Sequence, residues 1–381
     1  MGAGICREES IEVAGAGGEA KEKSKDAKFW HEKMRFSHAS QSLFDAAVRG
    51  DAGLAAQAVR GLGDPNCCSG QGIRPLQVAI SCGNRQLVEL LLKAGADING
   101  HTKGTPPPLV LAASTDDTEL FDLLLGQGAD LSVADDSSGE TALTRASARG
   151  HFRIVQAILG RGTPGFQKLL AQRSRLGPQG DGATALHLAA SHGFRDICDR
   201  LLGVGADPSA TDRRGRMALH HAAEGNHVEV ANLLLTFGSK PSGPDEIGNS
   251  PLHLAAERGF LTLADVLVRF SADVNASRRD GRVPAHMAAK GGHDVICKLL
   301  LEQKAEPNAV DATGEPPFVL AFREAHVRCC RALLDAGAEV SAVEGQRWEP
   351  PYSELGARDR EQLSKGKTPL SDDSSRELVG C

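Results

Sequence analysis

The sequence predicts an all-α repeat protein, a solenoid of about nine helix-turn-helix units joined by hairpin loops. Three observations predict it: an internal period of 33 residues, apolar columns spaced three and four apart within each period, and glycines in fixed columns where helices would end. Composition agrees. Of 381 residues, 41% are hydrophobic, enough for a packed core, whereas only 4% are aromatic. A chain in which Gly, Ala and Leu dominate suits closely approaching small helices better than a sandwich of aromatic and β-branched strands.

The period is read from Leu186, in Thr184-Ala185-Leu186-His187-Leu188-Ala189-Ala190. Steps of 33 lead to Leu219, Leu252, Ala285 and Phe318; upstream, Leu43, Leu76 and Leu109 keep the same step. Leu143 follows after 34, and the stretch from Leu143 to Leu186 is 43, so one insertion of about ten residues interrupts the series. Three positions on, every register carries alanine: Ala46, Ala79, Ala112, Ala146, Ala189, Ala222, Ala255, Ala288 and Ala321. Later columns run Leu54, Leu87, Leu120, Ile154, Ile197, Val230, Leu263, Ile296, Cys329 and Ala58, Leu91, Leu124, Ile158, Leu201, Leu234, Leu267, Leu300, Leu333. These spacings put the side chains on one helical face, small on the first helix and large on the second.

Glycine punctuates the pattern. Gly50, Gly83, Gly150, Gly193, Gly259 and Gly292 close the first helices, with Asn226 in the same column, since these residues tolerate a left-handed turn. Gly95, Gly128, Gly162, Gly205, Gly238 and Gly337 close the second helices, and Ala-Asp pairs lead into the next loop. On these residues the chain resembles the ankyrin repeat family; Ser250-Pro251-Leu252-His253-Leu254-Ala255 comes nearest its opening motif, and Thr184 to Ala189 differs only by Ala185 for Pro. The first and last registers depart from the motif, as terminal caps do. The array is expected over residues 39–345 with the insertion near 163–181, between a flexible arm at 1–38 and a polar tail at 346–381. The resemblance implies a non-catalytic scaffold or adaptor that binds another protein through a concave face and hairpin tips.

Candidate chemistry is mostly absorbed by the repeat. His187, His220, His253 and His286 recur every 33 residues but cannot converge on one metal ion, because equivalent positions on stacked helices stand about 8–10 Å apart. In the resembled family this column bonds to backbone in the adjoining turn; His151, His227, His293 and His326 form a second such column. Cys198, Cys297 and Cys330 share a column with Val88, Phe121, Val155, Ala231 and Ala264 and are expected as core fillers. No nucleophile elbow, phosphate loop or dinucleotide fingerprint appears, so no catalytic residue, metal site or cofactor is expected. The net charge of −6 argues against bulk nucleic-acid binding.

The flanks leave alternatives open. Phe29, Trp30, Met34 and Phe36 suit either a helix covering the first repeat or a contact for a partner. The tail's Trp348, Pro350, Pro351 and Tyr352 lack the spacing of a WW-domain ligand, and Cys381 sits in no prenylation box. With no secretory signal and no apolar run long enough to span a bilayer, a cytoplasmic protein is expected. Met1-Gly2-Ala3-Gly4-Ile5-Cys6 makes Gly2 a myristate candidate and Cys6 a palmitate candidate, and two acyl chains together give a stable anchor where one does not. The other reading is an ordinary start.

Partner binding falls to positions the repeat does not need. Successive tips read Arg213-Arg214-Gly215-Arg216, then Asp245-Glu246, then Arg278-Arg279-Asp280-Gly281-Arg282, so basic tips flank an acidic one. A patterned partner, acidic or phosphorylated, suits Arg213, Arg214, Arg216, Arg278, Arg279 and Arg282, with Asp245 and Glu246 between them. His192, Glu224, Glu257, Arg258 and Lys290, at first-helix ends, border the same face. In the insertion, Phe166, Leu169, Leu170 and Leu176 mix with Lys168, Arg173 and Arg175, which fits either an amphipathic contact element or a helix packed on its own repeat. Family resemblance also makes Asn99 and Asn275 candidate substrates of an asparaginyl hydroxylase.

Overall fold

A computed structural model describes residues 38–161, 166–175 and 182–339. The chain divides into two compact units, residues 1–189 with 199–206, and residues 190–198 with 207–381. The described residues form nineteen helices and no sheet. In the first unit these are α1 (His38–Arg49), α2 (Ala52–Arg60), α3 (Pro75–Ser81), α4 (Arg85–Lys93), α5 (Pro108–Ala112), α6 (Thr118–Gly126), α7 (Ala142–Arg149), α8 (Phe152–Gly160) and α9 (Phe166–Leu170). Helices α10 (Ala185–Ser191) and α11 (Arg195–Gly203) follow. The second unit holds α12 (Ala218–Glu224), α13 (Val228–Thr236), α14 (Pro251–Arg258), α15 (Leu261–Arg269), α16 (Pro284–Gly291), α17 (Asp294–Glu302), α18 (Pro317–Arg323) and α19 (Val327–Asp335). None is long and apolar enough to cross a membrane.

Helices of five to twelve residues are too short to persist alone, so packing must hold them. All nine alanines of the small column are fully buried, as are the large residues from Leu87 and Leu91 onward in the two later columns. Leu54 is only half-buried, and among the described residues no earlier repeat lies against α2. The buried Cys198, Cys297 and Cys330 fill the core alongside Val88, Phe121 and Val155. Burial pushes the Cys198 and Cys330 thiols up to about 12, so they stay protonated.

Caps start and stop the helices. Asp51, Asn84 and Asp117 accept the N–H of Leu54, Leu87 and Leu120 at 2.9, 3.1 and 2.9 Å. Asn226 adopts φ 56, as its glycine column predicts; Ser271 and Lys304 hold the second glycine column's left-handed turn at φ 63 and 66 without glycine. Gly259 meets two demands at once: φ is 78, and a Cβ there would lie 2.5 Å from the ring of His293.

That ring belongs to the second histidine column. The Nε2 atoms of His227, His293 and His326 bond the carbonyls of Ser191, Glu257 and Lys290 at 3.0, 3.1 and 3.1 Å. Each ties one outer helix to the end of the preceding inner helix, where carbonyls lack helical partners. The first column works differently. His220, His253 and His286 accept the N–H of Met217, Ser250 and Val283 on Nδ1, each at 3.1 Å. Their Nε2–H groups donate to the carbonyls of Asn249, Arg282 and Glu315 at 3.0, 3.1 and 3.0 Å. Both ring nitrogens are thereby committed to backbone, in the neutral tautomer protonated on Nε2. Gln77 stands in this column in the first unit and does the same with an amide: Oε1 accepts the N–H of Arg74 at 2.8 Å and Nε2 donates to Pro106 at 2.7 Å.

The described part of the insertion, residues 166–175, packs on its own unit. Leu169 and Leu170 of α9 are buried, Ser174 and Ala183 pair through backbone at 2.9 Å, and the Arg175 N–H donates to Ser138 of the preceding tip at 2.6 Å. Leu176 lies outside the described residues, as do Gly2, Cys6, Phe29, Trp30, Met34, Phe36, Trp348 to Tyr352 and Cys381.

Candidate protein-binding tips

In the second unit the hairpin loops 211–217, 244–250, 277–283 and 310–316 are built around one side chain each. Asp212 is fully buried and accepts four bonds. Its Oδ1 takes the N–H groups of Arg214 and Arg216 at 2.8 and 2.9 Å; its Oδ2 takes Arg216 Nε at 3.1 Å and His221 Nε2 at 3.0 Å. Burial alone would raise its pKa, but bonds from His221 and the Arg216 N–H, together with the Arg216 charge, hold the carboxyl far below the usual carboxylate range. Asp245 organises the next loop through the N–H groups of Ile247 and Asn249 at 3.0 and 2.7 Å. Asp311 does so through Thr313 and Glu315 at 2.9 and 3.1 Å. Burial again works against Asp311, yet its bonds bring the pKa down to about 2.

The loop at 278 breaks the series, because arginine stands where the other loops carry aspartate. Arg278 turns inward, its Nη1 3.5 Å from Met287 Sδ and its Nε 3.4 Å from Asp280. Arg282, the column-mate of Arg216, stands 3.9 Å from Asp280 of its own loop and closer to Asp311 of the following one, Nε to Oδ2 at 3.1 Å.

Successive loops are also laced through backbone. Glu246 N–H donates to Arg214 C=O at 2.9 Å, Arg279 N–H to Ile247 C=O at 3.1 Å, and Ala312 N–H to Asp280 C=O at 2.8 Å. So close an approach requires glycine. At Gly248, φ is 88 and a Cβ would lie 2.9 Å from the backbone of Arg278 and Arg279.

The six tip arginines, alike in sequence, divide by this geometry. Arg216, Arg278 and Arg282 are half-buried and hold the loops together, whereas Arg213, Arg214 and Arg279 are exposed. The guanidinium groups of Arg214 and Arg279 make no hydrogen bond or ion pair among the described residues. Asp245 is structural, while Glu246 is exposed. His192 is exposed and stacks on Phe194 with centroids 5.8 Å apart. Glu224 bridges Arg216 at 3.2 Å and Arg258 at 3.0 Å. The exposed Glu257 and Lys290 use their carbonyls for the histidine column.

Sequence reasoning missed two features. The buried Asp212–His221 pair is one, signalled by His221 standing where other registers have Leu188, Leu254, Met287 and Leu320. The other is an asparagine column. Asn66, Asn99, Asn275 and Asn308 each accept, on Oδ1, an N–H of the next loop, from Asp97, Asp130, Glu306 and Glu339 at 2.7 to 2.9 Å. Asn275 also donates to Lys304 C=O at 3.2 Å. Asn99 and Asn275 thus clasp neighbouring repeats.

Helix pairs stacked through alanine and leucine columns, closed by glycines and laced at their hairpin tips, define a repeat protein of the ankyrin class. Models of ankyrin repeats, three copies each, match residues 43–135, 76–169, 109–212, 186–278 and 252–344. The chain belongs to the ankyrin repeat family. It is also similar to the E3 ubiquitin-protein ligase XBAT33 of Arabidopsis thaliana, 28% identical over 153 residues, which covers 36% of this chain and 30% of that protein. The chain thus spans under a third of that relative.

Proposed function

We propose that this chain is a non-catalytic, cytoplasmic adaptor that holds another protein on the tips and first-helix ends of its second unit. The observation that carries this is the contrast among charges. Most arginines there are spent on the fold's own carboxylates, whereas Arg214 and Arg279 present exposed, uncommitted guanidinium groups beside Arg213 and Glu246. His192, Glu257, Arg258 and Lys290 extend the same surface. Such groups recognise an acidic or phosphorylated segment through charge-assisted hydrogen bonds. The test is affinity capture of a partner by wild-type chain and by the triple variant Arg213→Glu, Arg214→Glu, Arg279→Glu. Loss of the partner with an unchanged thermal melt supports the reading; equal capture overturns it. Ligase activity is named for a relative that shares only part of its length with this chain, and self-ubiquitination by the purified chain with activating and conjugating enzymes would refute the non-catalytic assignment.

A second reading, favoured by Gly2 and Cys6, adds a membrane tether. Myristate and palmitate there supply the two signals a stable anchor needs. Metabolic labelling with a myristate analogue is expected to mark wild type and not Gly2→Ala, and equal absence of label in both overturns it.

A further inference from the structure

The adaptor reading leaves open what the partner's segment looks like, and the tip geometry narrows it. Resting on that reading, we infer that the row Arg214–Ile247–Arg279 binds an extended peptide segment of pattern acidic–x–apolar–x–acidic.

The spacing comes from the backbone lacing. Arg214 C=O receives the N–H of Glu246, and Ile247 C=O receives the N–H of Arg279. A hydrogen-bonded rung separates α-carbons by about 5.5 Å, and consecutive residues stand about 3.8 Å apart. The α-carbons of Arg214 and Arg279 therefore lie roughly 15 Å apart, and within about 17 Å of each other, with Ile247 between them. An extended chain advances about 3.3 Å per residue and shows every second side chain on one face. Residues i and i+4 then span about 13 Å, and residue i+2 sits midway on the same face. The flexible stems of the two arginines close the difference.

The chemistry follows the same order. The guanidinium groups of Arg214 and Arg279 are exposed and uncommitted among the described residues, while the side chain of Ile247 is 51% exposed at a loop apex. Carboxylates at i and i+4 meet the two arginines, and an apolar residue at i+2 covers the isoleucine. Glu246 and Asp280 border the row and disfavour a uniformly acidic segment. The partner is thus defined by two carboxylates at a set separation, not by bulk negative charge.

The test uses two fluorescein-labelled peptides of identical composition, with cores Asp-Thr-Leu-Thr-Asp and Asp-Thr-Thr-Leu-Asp. Exchanging Leu with Thr moves the leucine to the opposite face of the strand and leaves the charges in place. Anisotropy titrations with the full chain, at ionic strength low enough to keep exposed charges unscreened, are expected to show the first peptide binding roughly threefold to fivefold more tightly. Arg214→Glu and Arg279→Glu each remove that binding, and Lys in place of one Asp of the peptide restores it to a variant. Ile247→Asp abolishes the preference between the peptides. Equal binding of the two peptides, or an Arg279→Glu variant that binds as wild type does, overturns the inference. If these peptides fail while the tip variants still lose the captured partner, the adaptor reading stands and only the pattern falls.

Discussion

His253 makes the fold of the second unit sensitive to mild acid. Its Nδ1 accepts the Ser250 N–H at 3.1 Å, so a proton added there would face a donor rather than an acceptor. Burial is the main cause that lowers its pKa from 6.5 to about 4, with the Arg278 charge adding to it; the bond to Arg282 C=O and the charges of Asp280 and Asp245 oppose. The sign follows directly. As pH falls, the unfolded chain takes up this proton first, so stability is intact above about 6.5, is lost between 6.5 and 4, and is flat below. From pH 7 to pH 5 the loss from this one residue is about 2 kcal/mol. His220 and His286 are shifted in the same direction by burial, so they act in the same sense. Asp212 and Asp311 have pKa values lowered below the ordinary 3.8, so their protonation lies outside this window. His253→Gln isolates the effect, because Gln77 fills the same column with the same pattern of bonds and cannot titrate. Urea unfolding followed by far-UV circular dichroism at pH 7 and pH 5 is the assay. The variant is expected to be near wild type at pH 7 and to lose about 2 kcal/mol less on going to pH 5. Parallel losses in the two proteins would refute the reasoning.

Three further predictions concern the loops. Gly248→Ala forces a Cβ against the next loop at a left-handed φ and is expected to destabilise by about 1–3 kcal/mol in urea titration. Asp212→Ala leaves His221 and Arg216 without their buried carboxylate and should cost about 3–5 kcal/mol; His221→Leu removes one of the four bonds to a carboxylate that keeps Arg216 and two N–H groups, and should cost less, about 1–3 kcal/mol, in the same assay. Asn275→Ala removes two bonds to the next loop, and hydrogen exchange is expected to show faster exchange at Glu306, with a loss of about 1–3 kcal/mol.

The helices were legible in the sequence because burial repeats with a fixed period: the same positions meet the same neighbours, so Ala222 and Leu234 announce themselves through Ala255 and Leu267. The period showed the histidine columns, and their bonds to backbone were expected only from the resemblance to the ankyrin family. The tips were only half legible. Arg213 and Arg216 differ by three positions and not at all in type, and which one turns inward depends on a carboxylate buried beneath the loop. A signal was present in the column Asp212, Asp245, Arg278, Asp311, whose odd member marks the loop that no aspartate organises from that position. The asparagine column was equally visible at Asn66, Asn99, Asn275 and Asn308, but sequence showed its recurrence and not its bonds. The insertion's two readings needed coordinates, because burial of Leu169 and Leu170 depends on how the chain returns at Ser174 and Ala183.

The arginine at 278 also limits how this array can be cut, copied or reordered. In loops 211–217 and 244–250 the central aspartate holds the loop's own N–H groups, so each carries its organising carboxylate with it when moved as a module of one period. The loop at 277–283 is less self-contained, because its Arg282 lies closer to an aspartate one module downstream than to the Asp280 of its own loop. Deleting the residues around Asp311, or duplicating the Arg278 module alone, leaves the half-buried Arg282 with only the more distant Asp280. These two modules keep their full set of ion pairs only when grafted together.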